Sequence, residues 1–232
     1  MQDYKSFHSF VPVPITIGIG NMETITEKMT TEEKILMGAE ELFFKYGIRG
    51  VTMDDIARHL GMSKKTIYQY YKEKDEIIHK LMQSQIKKHE TTFTESYEKA
   101  ANIVDEVFCI MKNIQDIFSK INPQFIYELQ KYYSQSWKLF KDFKEGFILK
   151  MVEKSLDKGK REGHVRDDVN VKILARLRME QIEWAMNPGV FHPDKYKILD
   201  VHLVLAEHFL YGICTLKGHK LINKYKEITE EE

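Results

Sequence analysis

Apolar residues recur at intervals of three and four along most of this chain, the spacing of one helix face rather than the alternation of a strand. From Lys74 onward the pattern runs almost without a break. It predicts a long helix with Ile77, Ile78, Leu81, Met82 and Ile86 on one side, then a second over about 101–119 striped by Ile103, Val107, Ile110, Met111, Ile114 and Phe118. Asn122 and Pro123 break the chain and start another helix, because a proline in the first turn gives up only a donor that had no partner. A helix over about 135–158 follows, with Gly159 and Gly163 as its stop. Asp167, Asp168 or Asn170 can cap the next, which reaches about Met186. After the Asn187-Pro188-Gly189 loop a final helix is expected from about Lys195 to Leu216. Five prolines and twelve glycines are few punctuation marks for 232 residues rich in helix formers, so the fold class is all-α.

Between residues 52 and 74 the pattern tightens into two short helices with a glycine turn between them. Thr52 can cap the first, with Asp55 reaching back to complete a capping box. Ile56, Ala57 and Leu60 form its inward stripe, Ala57 being small enough to admit a crossing helix. Gly61 supplies the left-handed residue that ends it, and Ser63 can cap the second helix, whose Ile67 and Tyr71 fall on a buried face. Lys64, Lys65, Thr66, Tyr68, Gln69 and Tyr70 are left to point outward or sideways. This is the shape of a helix-turn-helix that reads DNA.

Charge sharpens that reading. The whole chain balances at 35 basic and 35 acidic side chains, so no global field draws it to nucleic acid. Residues 45–74, however, hold seven lysines and arginines against three carboxylates, a local surplus of four. Lys64 and Lys65 sit in the first turn of a helix, and Lys72 and Lys74 at the start of the next, where the helix dipole disfavours cations. A phosphate docked at those helix starts would remove the conflict.

The stretches Ala39-Glu-Glu-Leu-Phe-Phe-Lys-Tyr-Gly47, Gly50-Val-Thr-Met-Asp-Asp-Ile-Ala57 and Gly61-Met-Ser-Lys-Lys-Thr-Ile-Tyr-Gln-Tyr-Tyr-Lys-Glu-Lys-Asp-Glu-Ile77 resemble the DNA-binding domain of TetR-like transcriptional regulators. The resemblance covers about residues 31–80. It implies a three-helix head on a helical ligand-binding and dimerising body: a homodimer that usually represses and leaves a palindromic operator when a small molecule binds. It also implies base contacts from Lys65 and Thr66, and phosphate contacts from Thr52, Ser63, Lys64, Tyr68, Tyr70 and Lys74. Lys65 departs from the small residue, often glycine, of many relatives, and Gln69 from a frequent histidine. Lysine favours guanine O6 and N7 and glutamine favours adenine N6 and N7, so the operator cannot be borrowed from a relative.

Two further surfaces are expected in the body. Nine aromatics crowd the segment from Phe118 to Phe147, far above the 12% of the whole chain. Apolar walls with a few polar tips suit a pocket for a hydrophobic or aromatic ligand. The candidates are Phe118, Tyr127, Tyr133, Trp137 and Phe140, with Trp184 beyond them; Tyr127, Tyr133 and Trp137 stand out for joining a ring to a polar handle. The last helix, about 195–216, is apolar on more than one side, and the resemblance makes it and the helix before it, about 172–186, the homodimer interface.

The expected organisation is an N-terminal extension over 1–30, a helix-turn-helix domain over 31–77, a ligand-binding and dimerisation domain over 78–220 and a charged tail over 221–232. Phe10–Gly20 is apolar but too short to span a membrane and holds two prolines, and Met22 and Met29 offer alternative starts. Cys109 and Cys214 lie far apart in apolar patterns and read as buried, reduced thiols of a cytoplasmic protein. Nucleophile-elbow, Walker and His-Glu-x-x-His motifs are absent, so no enzyme, cofactor or metal is expected. The alternative function is a helical ligand-binding or adaptor protein whose helix-turn-helix packs against another protein. Affinity for duplex DNA that falls steeply with salt discriminates the two.

Overall fold

The computed structural model describes residues 29–228, so the expected extension lies almost entirely outside the described residues, as does Glu230–Glu232 of the tail. Among the described residues the chain forms eleven α-helices and one π-helical segment, in keeping with the all-α reading. The head begins with α1 (Thr31–Tyr46), opened by a reciprocal cap in which Glu33 N donates to Thr30 Oγ1 and Thr30 N to the Glu33 carboxylate. The same device opens α2 (Met53–His59): Thr52 N donates to Asp55 Oδ2 at 2.9 Å and Asp55 N to Thr52 Oγ1 at 3.2 Å. Gly61 then takes a φ of 63°, and Ser63 Oγ accepts from Thr66 N at 3.1 Å to start α3 (Lys64–Tyr70). Phe43, Ile48, Ile56, Ile67, Ile77 and Ile78 are fully buried where these helices meet α4.

The helix α4 (Lys74–Lys99) joins head to body, its first turns buried in the head through Ile77, Ile78 and Leu81. The body continues with α5 (Ile103–Phe118), α6 (Pro123–Tyr132), α7 (Ser134–Phe143), the π segment Lys144–Ile148, α8 (Leu149–Arg161), α9 (Val171–Ala185), α10 (Ile198–Ile213) and α11 (Leu216–Tyr225). Two cores result. One continues from the head into the body through Phe125, Leu129, Trp137 and Met186; the other gathers Ile103, Val104, Leu156, Phe209, Leu210 and Ile213 at the far end.

Three expectations are corrected. The helix expected over 135–158 runs on from Ser134 to Arg161 through the π turn, and Gly159 lies inside it. That glycine serves close packing, since a Cβ there would sit 2.6 Å from Val165 Cγ2; the chain turns instead at Gly163, where φ is 72°. The helix expected to be the last is followed by α11, so the tail drawn over 221–232 begins inside the body. Thr215 caps α11, Ile222 is fully buried, and Tyr225 Oη donates to Asp105 at 2.7 Å. Of the two free thiols, Cys214 is buried as expected but Cys109 is exposed, because it lies off the inward stripe of α5.

Candidate nucleic-acid interface and internal cavity

The outward face of α3 carries Lys64, Lys65, Tyr68, Gln69 and Tyr70 exposed, with Ser63 exposed at its start and Thr66 half-buried. Among the described residues no hydrogen bond or ion pair engages the side chains of Lys65, Gln69 or Tyr70. Lys64 does have a partner: its Nζ lies 2.6 Å from Asp54 Oδ1 and 5.8 Å from the Tyr68 ring centroid. Asp54 therefore answers, within the protein, half of the conflict between lysines and helix dipole. Both groups are well exposed, and a pair of that kind adds little stability.

Lys74 behaves differently from the expectation placed on it. Its Nζ donates to Ile48 O and to Val51 O, each at 2.8 Å, tying the start of α4 to the loop between α1 and α2. Two of its three donors are spent there, and burial lowers its pKa. The expected phosphate ligand is thus first a structural tie. Its spacing from residues 48 and 51 across two helices gave no sequence signal.

The same loop is held from the body side. Ile48 N and Arg49 N donate to Glu128 Oε2 of α6 at 2.7 and 2.8 Å. Asn122 N donates to Phe44 O at 2.7 Å, and Asn122 Nδ2 to Lys45 O at 3.2 Å, closing the free carbonyls at the end of α1. Arg49 stacks on the Tyr132 ring, 4.7 Å from its centroid. One short helix therefore grips the head with one face while Phe125, Ile126 and Leu129 on its other face look inward.

What they look into is a cavity of about 1070 Å³, partly open to solvent, walled by residues of α4 to α10 and by Glu40, Glu41, Phe44 and Lys45 of the head helix α1. Gln85 Nε2 donates to Glu40 Oε1 at 2.7 Å across that junction. Of the expected ligand residues, Phe118, Trp137 and Phe140 line the cavity, with Trp137 stacked on Phe140 at 5.0 Å. The other three do not. Tyr127 is on the surface, its hydroxyl accepting from Lys131 Nζ at 2.7 Å. Tyr133 lines a separate surface cleft with Tyr70 and Tyr71, and Trp184 is exposed on the outer face of α9. Tyr127 and Trp184 stand on the outer faces of their helices, and Tyr133 lies at the joint between α6 and α7.

Polar groups of the cavity wall were passed over in the sequence. Glu106, buried, accepts from Ser155 Oγ at 2.6 Å, and burial raises its pKa. Arg178 and His202 face the same space. The available signal was spacing: Arg178 stands four residues from Leu174 and Ile182, and His202 four from Ile198 and Ala206, each inside an apolar stripe.

A capped helix pair presenting an exposed polar face, set on a helical body with a large cavity, has the architecture of a helix-turn-helix head on a helical body. Residues 35–81 match the family model of bacterial regulatory proteins of the tetR family. The chain carries the DNA-binding head of a TetR-family transcriptional regulator. It is 24% identical over 139 residues to the uncharacterised HTH-type transcriptional regulator YvaF of Bacillus subtilis, covering 59% of this chain and 72% of that one. A match to the regulator TtgR of Pseudomonas putida, 28% identical over 98 residues, covers 42% of this chain and 46% of that one. Among solved structures, FadR of Bacillus subtilis in complex with stearoyl-CoA superposes with a TM-score of 0.57 at 18% identity, over 78% of this chain and 98% of that one. The SmeT–triclosan complex gives 0.61 at 14% identity, over 81% and 93%.

Proposed function

We propose that the protein is a homodimeric repressor, working in the cytoplasm, that binds a palindromic operator through α3 and is released when a hydrophobic ligand fills the cavity. The observation that carries this reading is that one cavity wall is the head helix α1 itself, so a ligand inside can bear directly on the DNA-reading unit. Lys65 and Gln69, exposed and unengaged, are assigned to base edges together with Thr66. Thr52, Ser63, Lys64, Tyr68 and Tyr70 are assigned to phosphates, Lys64 exchanging Asp54 for the DNA backbone. Lys74 keeps one donor for that purpose at most.

Dimerisation is assigned to the outer faces of α9 and α10, where Ile173 is 63% exposed and Leu177, Trp184 and Val204 are exposed beside it. The molecules named in complexes of the structural neighbours, stearoyl-CoA with FadR and triclosan with SmeT, are apolar in large part, which accords with the apolar lining of this cavity. The test is selection of bound fragments from genomic DNA, followed by affinity measured against salt. A steep fall in affinity with salt and a palindrome in the bound fragments are expected. No duplex binding at low salt would leave the adaptor reading in possession, and a monomer by sedimentation at micromolar concentration would end the dimer.

A further inference from the structure

The cavity holds a polar pair for which the protein itself has no evident use. Arg178 projects from α9 into the wall, where Nη1 donates to Gln181 Oε1 at 3.3 Å. Among the described residues no ion pair and no other hydrogen bond engages the guanidinium; Phe209 lies against it, with Cζ 5.9 Å from the ring centroid. His202 of α10 is 5% exposed, packs on Phe118 with centroids 5.3 Å apart, and its Nε2 has no hydrogen-bond partner.

Arg178 is half-buried, and an unpaired cation set in a cavity wall with donors to spare is costly to keep. Burial draws the Arg178 pKa down to about 10, so the group stays charged at neutral pH. Burial, then the nearby Arg178 charge, drives His202 to about 3, so the imidazole is neutral and can present Nε2–H as a donor.

The remaining charges do not supply a counterion. Where the cavity meets the head, Glu40, Glu41 and Asp116 are matched in number by Lys45, Lys88 and Lys120. Glu106, the other buried carboxyl on the wall, is held by Ser155 and pushed toward its neutral form. Arg178 thus stands as the unmatched cation of an otherwise apolar interior lined by groups such as Ile110, Ile114, Phe140 and Met151.

We propose that Arg178 and His202 form the head-group subsite of the effector cavity, taking the oxyanion of an amphipathic ligand, a carboxylate or a phosphate monoester, whose apolar body lies along the cavity. This rests on the reading of the cavity as the effector site. The planar guanidinium can engage two oxygens of either group, and the His202 N–H adds a third direction.

The test is calorimetry on the full chain without DNA, using dodecanoate, dodecyl phosphate and dodecan-1-ol as probes. The expected result is that at least one anion binds about 10- to 100-fold tighter than the alcohol, the range for hydrogen bonds to a charged group. Which anion wins assigns the source. In Arg178→Gln the ratio of anion to alcohol affinity falls to near one while the alcohol binds as before, which also reports an intact cavity. Arg178→Lys, which keeps the charge and loses the fork, retains part of the ratio and serves if the glutamine variant does not fold. Equal binding of acid and alcohol by the wild type, or an unchanged ratio in both variants, overturns the subsite but leaves a hydrophobic effector standing. Binding of none of the three overturns both, while salt-dependent DNA binding, measured separately, still decides the regulator.

Discussion

The head and the body treat their polar groups in opposite ways. In the head the polar side chains described are either satisfied within the protein, locally in the Thr30–Glu33 and Thr52–Asp55 boxes and at longer range by Lys74, or left in solvent, as Lys65 and Gln69 are. Its core residues Ile35, Phe43, Ile56 and Ile67 are fully buried. In the body His202 is buried with its Nε2 unpartnered, and the half-buried Arg178 has donors to spare, around a cavity of about 1070 Å³. A unit that must present one fixed surface to DNA gains from being fully satisfied; a unit that must answer a ligand keeps groups whose satisfaction depends on it. Between them lies α6, with Glu128 and Asn122 on the head and Phe125 and Leu129 on the cavity side.

The comparison is most easily broken by cutting the two interiors equally. Ile67→Ala in the head should cost about 2–5 kcal/mol, the range for truncating a fully packed isoleucine. Ile114→Ala in the cavity wall should cost about half of that or less, because the side chain lacks partner atoms on the cavity side. Urea unfolding of both variants checks this, and equal losses would mean that the cavity wall is as tightly packed as the head.

Protonation probes the unspent group. Burial in the folded chain holds the His202 pKa near 3, well below the ordinary imidazole value of about 6.5, so the unfolded chain takes the proton first. The associated stability is present above the unfolded pKa and declines as pH falls through it toward 3, by at most about 1.4 kcal/mol per pH unit. Between pH 7 and pH 5 the wild type should lose about 2 kcal/mol more than His202→Asn in denaturant titrations. Parallel curves would place the imidazole in contact with water.

Two lysines separate structure from reading. Lys74→Met, which strips the ties to Ile48 O and Val51 O, should destabilise the protein by about 1–3 kcal/mol. Lys65→Ala should leave stability within about 0.5 kcal/mol. Its loss should appear instead as relaxed sequence preference, by about 1–3 kcal/mol at one base pair, in binding to operator and scrambled DNA. The smallest effect is expected at the joint: Glu128→Gln should hold DNA affinity nearly constant while lowering the ligand-induced loss of affinity by about 0.5–2 kcal/mol. An unchanged ligand response would take α6 out of the coupling.

Much of the head was legible in the sequence because its determinants are local. Caps act over three residues, a left-handed turn needs one glycine, and Ile56, Ala57 and Ile67 declare their face by helical spacing. The body's helices were legible for the same reason, down to the Asn122-Pro123 start. Spacing alone, however, could not tell an inward aromatic such as Trp137 from an outward one such as Tyr127, nor that α11 would return to bury Ile222.

The sequence by itself therefore determined the helices, their caps, the basic reading helix and the membership of an aromatic-rich body, all properties set by neighbours within a turn or two. Tertiary structure alone decided that Lys74 is a tie between segments, that Glu128 and Asn122 hold the head, and that Arg178 and His202 meet in one cavity. Those relations join residues from about 20 to 80 positions apart, where no periodicity reaches and only the packing of one helix on another sets distance, burial and charge.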